Sequence, residues 1–269
     1  MYTKKYSQDL KINNPHKYRL AKDLIWSSPK GFDLTMDIYS PKDVPANCPV
    51  IVMFHGGGFL IRRKEILNNM SQYIATNHDY VVCNVNYRLL RDQKNTVMFN
   101  DLIGDAFGAV LWVKENIHKY NGDKDKIGIT GDSAGAYICA MILNLGNKIG
   151  KKEDFAKDYA FEPTYLPKDM SLEQVAKENL LDVKAAVLSY GGYDFYKYAL
   201  QNAETYKNIF WGLLYPNQEV YLEINLTLLM ILKCIKRFLP FTTFLKLLRE
   251  NCRHNSLLPR LKIESPQFR

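Results

Sequence analysis

Apolar and polar positions along this chain change period several times. Residues 23–27 and 32–39 alternate every second position, the mark of half-buried strands. Ser28-Pro29-Lys30-Gly31 between them is a turn signal, so an opening antiparallel pair is expected. Residues 49–54 and 80–86 are short β-branched runs that read as buried strands, with a helical pattern over 64–77 between them. Ile103, Phe107, Val110, Leu111, Lys114 and Ile117 recur at helical spacing and predict a long amphipathic helix over 100–119. Another apolar strand follows at 127–129. The helix after it is marked by Tyr137, Ile138, Ala140, Met141 and Leu143. A helix near 171–181 and a strand over 184–190 complete this part. Strands alternating with helices predict an α/β class: a mostly parallel sheet with flanking helices, its loops at the carboxyl ends of the strands carrying function.

From 195 onward the pattern is helical only. Ile224, Leu228, Ile231, Leu232, Ile235 and Leu239 form one apolar face, Pro240 breaks it, and Phe241, Phe244, Leu245 and Leu248 continue on a second helix. Two readings stand side by side: a cap packed on the domain, or a lid contacting an acidic membrane surface through 224–250. The organisation predicted is a polar lead-in over 1–22, a core over 23–194 with a charged insertion at 147–183, and a helical cap or tail over 195–269.

Composition narrows the class. A chain of 269 residues, 47% hydrophobic and 24% charged, suits one α/β domain with a sizeable core. The net charge of +8 is uneven: residues 224–269 hold nine Lys/Arg against Glu250 and Glu264, so the rest is close to neutral. Without aromatic interleaving or a known motif, that basic tail does not point to nucleic acid. The five cysteines are scattered, no spacing suggests a metal, and a reducing cytoplasmic setting is expected. The first residues lack the apolar core of a signal peptide, and no apolar run is long enough to span a bilayer.

The chemistry concentrates at two motifs. Ile127-Gly-Ile-Thr-Gly-Asp-Ser-Ala-Gly135 carries Gly-x-Ser-x-Gly between a strand and a helix. In that context the turn strains Ser133 and lifts its hydroxyl out, and glycines two positions either side let strand and helix approach. The helix N-terminus then directs amides and partial positive charge at the point where an oxyanion forms. The second motif, His55-Gly-Gly-Gly-Phe59, ends the strand over 49–54 and supplies further main-chain donors. Order and context together make the pair specific, although either motif alone is weak.

With Met36-Asp-Ile-Tyr-Ser-Pro41, Asn86-Tyr-Arg-Leu89, Asp105-Ala106 and Asp123 to Ile129, these motifs resemble the α/β-hydrolase fold. More closely they look like its esterase/lipase group of hormone-sensitive-lipase-like and feruloyl- or acetyl-esterase-like carboxylesterases. The resemblance covers roughly residues 23–194 and implies a serine carboxylic-ester hydrolase acting on small acyl esters, with an amidase or formamidase as a close variant. It implies Ser133 as nucleophile, an oxyanion hole from Gly57, Gly58 and the Ala134 amide, an orienting Asp132, and no cofactor or metal. Ala136 departs from the family's usual glycine. Structural roles are expected for His55 and for Tyr87-Arg88, the arginine satisfying carbonyls or a carboxylate.

The family places an acid and then a histidine after the nucleophile, on loops following two more strands. No such strands are legible after Tyr190, so the core reads as C-terminally incomplete. Of five histidines only His254 follows Ser133. Asp194 and His254 are therefore the acid and base candidates, although Asp194 also reads as a helix N-cap. The alternative is a catalytically silent, hydrolase-like binding module. Ending here would leave the strand over 184–190 as a bare sheet edge, so self-association is expected unless the tail covers it.

Overall fold

The computed structural model describes residues 17–44, 46–146, 149 and 161–193. The opening hairpin is β1 (Tyr18–Ser27) with β2 (Leu34–Pro41), antiparallel as the alternation predicts. β1 starts five positions earlier than 23, and a register shift between Ala21 and Leu24 places Asp23 at a left-handed φ of 52°. The remaining strands are β3 (Cys48–Phe54), β4 (Val81–Val85), β5 (Gly122–Asp132) and β6 (Ala185–Ser189). Their order across the sheet is β1-β2-β4-β3-β5-β6. The β2–β4 pair is antiparallel, and β4, β3, β5 and β6 run parallel.

Period-two alternation divides β3 between two layers. Val50, Val52 and Phe54 enter the main core, whereas Met53 joins Tyr39, Val82 and Ala75 of α1 (Asn68–Asn77) on the opposite face. The helical pattern over 64–77 thus resolves into a tight turn, Lys64–Leu67, followed by α1. The main core is filled by α2 (Phe99–Asn116) and α3 (Ala134–Leu145). Both parallel-sheet faces receive helices, the usual solution for strands that are buried on two sides.

α2 is less amphipathic than its spacing predicts, with 13 of its 18 residues buried. The segment 161–165 crosses its outer side. Gly104 and Gly108 allow this: a Cβ on Gly104 would stand 2.2 Å from Glu162 O, and the Thr164 amide donates to Gly104 O at 3.1 Å. Phe161, Val175, Leu181 and Val183 bury their side chains in the same core, Val175 from α4 (Leu172–Lys177). A reciprocal Ser171–Gln174 capping box starts that helix. Among the described residues β6 and β1 are the two edge strands of the sheet, and Val187 on β6 is 63% exposed. No described helix is long and apolar enough to cross a membrane. The predicted tail over 195–269 lies outside the described residues.

Candidate active site

Parallel register sets the location. Phe54 pairs with Gly131, and Asp132 pairs with Ser189, so β3, β5 and β6 end together on one edge of the sheet. The glycine loop leaves β3 where the Gly-x-Ser-x-Gly turn leaves β5. The turn is tight because its two glycines have almost no room. A Cβ on Gly131 would meet Gly135 C at 2.4 Å, and one on Gly135 would meet Phe54 O at 2.0 Å. Ser133, between them, has φ 50° and ψ −113°, a conformation that L-residues avoid. Its amide donates to Ser189 O at 2.9 Å, and its carbonyl accepts from Tyr137 N at 3.2 Å. The serine is therefore held between β6 and the first turn of α3, half-exposed, with its own backbone fully engaged.

The glycine loop likewise takes a path that only glycine follows without cost. Gly57 has φ 131° and Gly58 φ 60°, and a Cβ on Gly57 would sit 2.1 Å from Ile61 O. Gly57 O accepts from the amides of Leu60 and Ile61, both at 3.1 Å, which closes the turn. Gly57 and Gly58 are half-exposed, and Ala134 is buried at the head of α3. The sequence-predicted donors thus lie on the loop and helix start that flank Ser133. A helix N-terminus and the amides of a glycine loop on either side of Ser133 form an arrangement suited to a developing oxyanion.

Asp132 joins the two motifs. Its Oδ1 accepts from Gly56 N at 2.8 Å and its Oδ2 from the Tyr190 hydroxyl at 2.9 Å. The carboxylate therefore sets the elbow against the glycine loop, the orienting role that the resemblance implies. Tyr190, which takes part in this, carries no signal in the sequence; only the β5–β6 register brings it near.

His55 is fully buried and stacks on Tyr87, with ring centroids 4.4 Å apart and planes 14° from parallel. Its Nδ1–H donates to Gly56 O at 2.8 Å, and its main-chain oxygen accepts from the Tyr87 hydroxyl at 2.6 Å. Burial holds the imidazole down at about 4, so it stays neutral at physiological pH. This histidine braces the loop through its Nδ1–H and its stacked ring. Arg88 is likewise enclosed. Its Nε and Nη2 donate to the two oxygens of buried Asp105 at 2.9 and 2.7 Å, and its own amide adds a third bond to that carboxylate. Asp194 and His254, the acid and base candidates, lie outside the described residues.

The BD-FAE family model matches residues 36–220. Among curated proteins, the carboxylesterase NlhH of Mycobacterium tuberculosis is 31% identical over 118 residues, covering 44% of this chain and 36% of the relative. Esterase LipI of the same organism is 30% identical over 186 residues, covering 66% of this chain and 55% of LipI. The chain thus spans between about a third and just over half the length of these relatives. Among solved structures, the hyperthermophilic esterase of Pyrobaculum calidifontis is 26% identical with a TM-score of 0.49, covering 71% of this chain and 50% of that one.

Proposed function

This chain belongs to the BD-FAE family, within the α/β-hydrolase esterase and lipase group, and on that premise we propose that it is a serine carboxylic-ester hydrolase of small acyl esters. One observation carries the reading: Ser133 stands in a strained conformation at a strand-to-helix elbow whose next residue, Ala134, opens α3. In this reading Ser133 Oγ attacks the ester carbonyl carbon and loses its proton to a base. The negative oxygen of the tetrahedral intermediate is met by the amides of Gly57, Gly58 and Ala134. Collapse expels the alcohol and leaves an acyl-serine, which water then hydrolyses. An amide or formamide substrate would use the same groups. Asp194 and His254 are the proposed acid and base.

A second reading is a binding module that does not turn over, and it turns on whether Ser133 has a base. The histidine at the site donates to Gly56 O and is buried, so the proton from Ser133 needs another acceptor. The two readings separate by experiment. Hydrolysis of p-nitrophenyl acetate is measured for the wild type, Ser133→Ala and His254→Ala. Turnover that Ser133→Ala abolishes supports the enzyme, and a loss of about 10³-fold or more in His254→Ala assigns the base. Turnover that survives Ser133→Ala sinks the enzyme reading. Its absence in the wild type, with saturable ester binding retained, leaves the binding module.

A further inference from the structure

The loop after the glycine motif contains a lysine with no exposed surface. Lys64 Nζ lies 2.7 Å from Asp37 Oδ1 on β2 and 2.7 Å from Asp23 Oδ1 at the β1 irregularity. Glu65 Oε1 follows at 3.3 Å. Asp37 is as buried as the lysine, at 1% exposure, whereas Asp23 and Glu65 reach solvent. The backbone of residue 64 is equally committed: its amide donates to Asn86 Oδ1 at 2.8 Å, and its carbonyl accepts from Asn84 Nδ2 at 2.7 Å. Burial alone would depress the ammonium, but the hydrogen bonds to Asp23 and Asp37 push it above the usual lysine range. An ion enclosed in this way is tolerated only when its partners are exact in geometry, and breaking such a pair is expensive.

The segment that Lys64 terminates needs restraint. Phe59 and Arg62, neither a glycine, have left-handed φ of 64° and 73°, and Gly57 and Gly58 before them, at 131° and 60°, have the freedom of glycine to take other conformations. Strain at two such residues, beside two permissive glycines, persists only where the surroundings over-determine the path of the chain. The near end is pinned by Asp132 on the Gly56 amide, and the middle by Leu90 N donating to Phe59 O at 2.9 Å. The far end is pinned by Lys64, which ties the loop to β1, β2 and β4 together.

We infer that Lys64, held by Asp37 and Asp23, is a positioning residue for the oxyanion loop, keeping the Gly57 and Gly58 amides in one of the orientations open to glycine. This rests on the ester-hydrolase reading for its catalytic meaning, but the restraint itself does not. Lys64→Met alone strands a buried carboxylate and risks unfolding, so the informative variant is Lys64→Met with Asp37→Leu, which removes both buried charges.

Hydrogen–deuterium exchange on the full chain reads the restraint directly. Amides over 56–62 are expected to exchange about tenfold faster in the double variant, while β3 and β5 stay within about twofold of wild type. The second readout is inactivation of Ser133 by an alkyl p-nitrophenyl phosphonate, whose phosphoryl oxygen needs the same amides. Its maximal rate is expected to fall about tenfold to a hundredfold with little change in the reagent's initial binding. Unchanged exchange over 56–62 overturns the inference, as does an increase shared equally by β3 and β5. A wild type that the phosphonate never labels counts against the hydrolase reading alone, and the exchange contrast still decides the clamp.

Discussion

Gly135→Ala is the sharpest perturbation of the elbow. The added methyl would lie 2.0 Å from Phe54 O, 2.7 Å from Phe54 C and 3.0 Å from His55 O. These are backbone atoms of the strand end, and Phe54 is laddered to both Val85 and Gly131, so no side chain can swing away to make room. α3 must instead withdraw from β3 by about 1 Å, and overpacking of this kind costs about 1–3 kcal/mol, with this backbone-locked case at the upper end. Gly128→Ala on β5, the strand that leads into the elbow, is the matched control: its nearest neighbour is Ala185 O at 3.5 Å, ordinary contact, so it is neutral or gains up to about 1 kcal/mol from reduced chain entropy. Urea unfolding of both variants should therefore differ by roughly 3 kcal/mol, read as a shift in midpoint at constant slope. The displaced helix also carries Ala134 and Ser133, so reactivity of the serine should drop about a hundredfold in the folded variant. Equal urea midpoints for the two variants would refute the packing argument.

Three further outcomes are expected. His55 has a folded-state value near 4 against 6.5 when exposed, so between those values the unfolded chain takes up a proton that the native chain does not. Stability from this group is present in full above about pH 6.5 and falls by about 3 kcal/mol on acidification to pH 4. His55→Asn should flatten that part of the pH–stability curve, and identical slopes in the two proteins would contradict the assignment. Asp105→Asn takes the nearest counter-charge from the Arg88 guanidinium, 2% exposed, leaving it the longer Asp101 pair at 3.5 Å, and should cost about 3 kcal/mol in urea unfolding. Tyr87→Phe removes the donor to His55 O while keeping the stacked ring, and a loss of about 1–3 kcal/mol in the same assay is expected.

How far the site could be read in advance depends on the distance over which each feature is set. The elbow was legible because its causes are local: β-branched residues at 127–129, glycines at 131 and 135, then a helical pattern. The same holds for the glycine loop at the end of β3; for Arg88, carbonyls or a carboxylate were expected, but Asp105, 17 positions away on α2, is singled out only by packing. The all-round burial of α2 was not legible. Its outward face is polar enough to look solvent-exposed, and only the crossing of 161–165 over Gly104 and Gly108 covers it. Lys64 was invisible for the same reason: in a charged run, Arg62-Arg63-Lys64-Glu65, nothing marks one lysine as the buried one.

By itself, the order of residues determined the alternation of strands and helices, the serine at its turn and the glycines beside it, since period, propensity and steric allowance act over a few positions. Tertiary structure decided which strands lie side by side, with β4 between β2 and β3. It also decided that Asp132 reaches Gly56, 76 positions away, and Tyr190, 58 away. Those contacts arise from sheet register and helix packing, which sum weak preferences across the whole core, and no short stretch of sequence contains that sum.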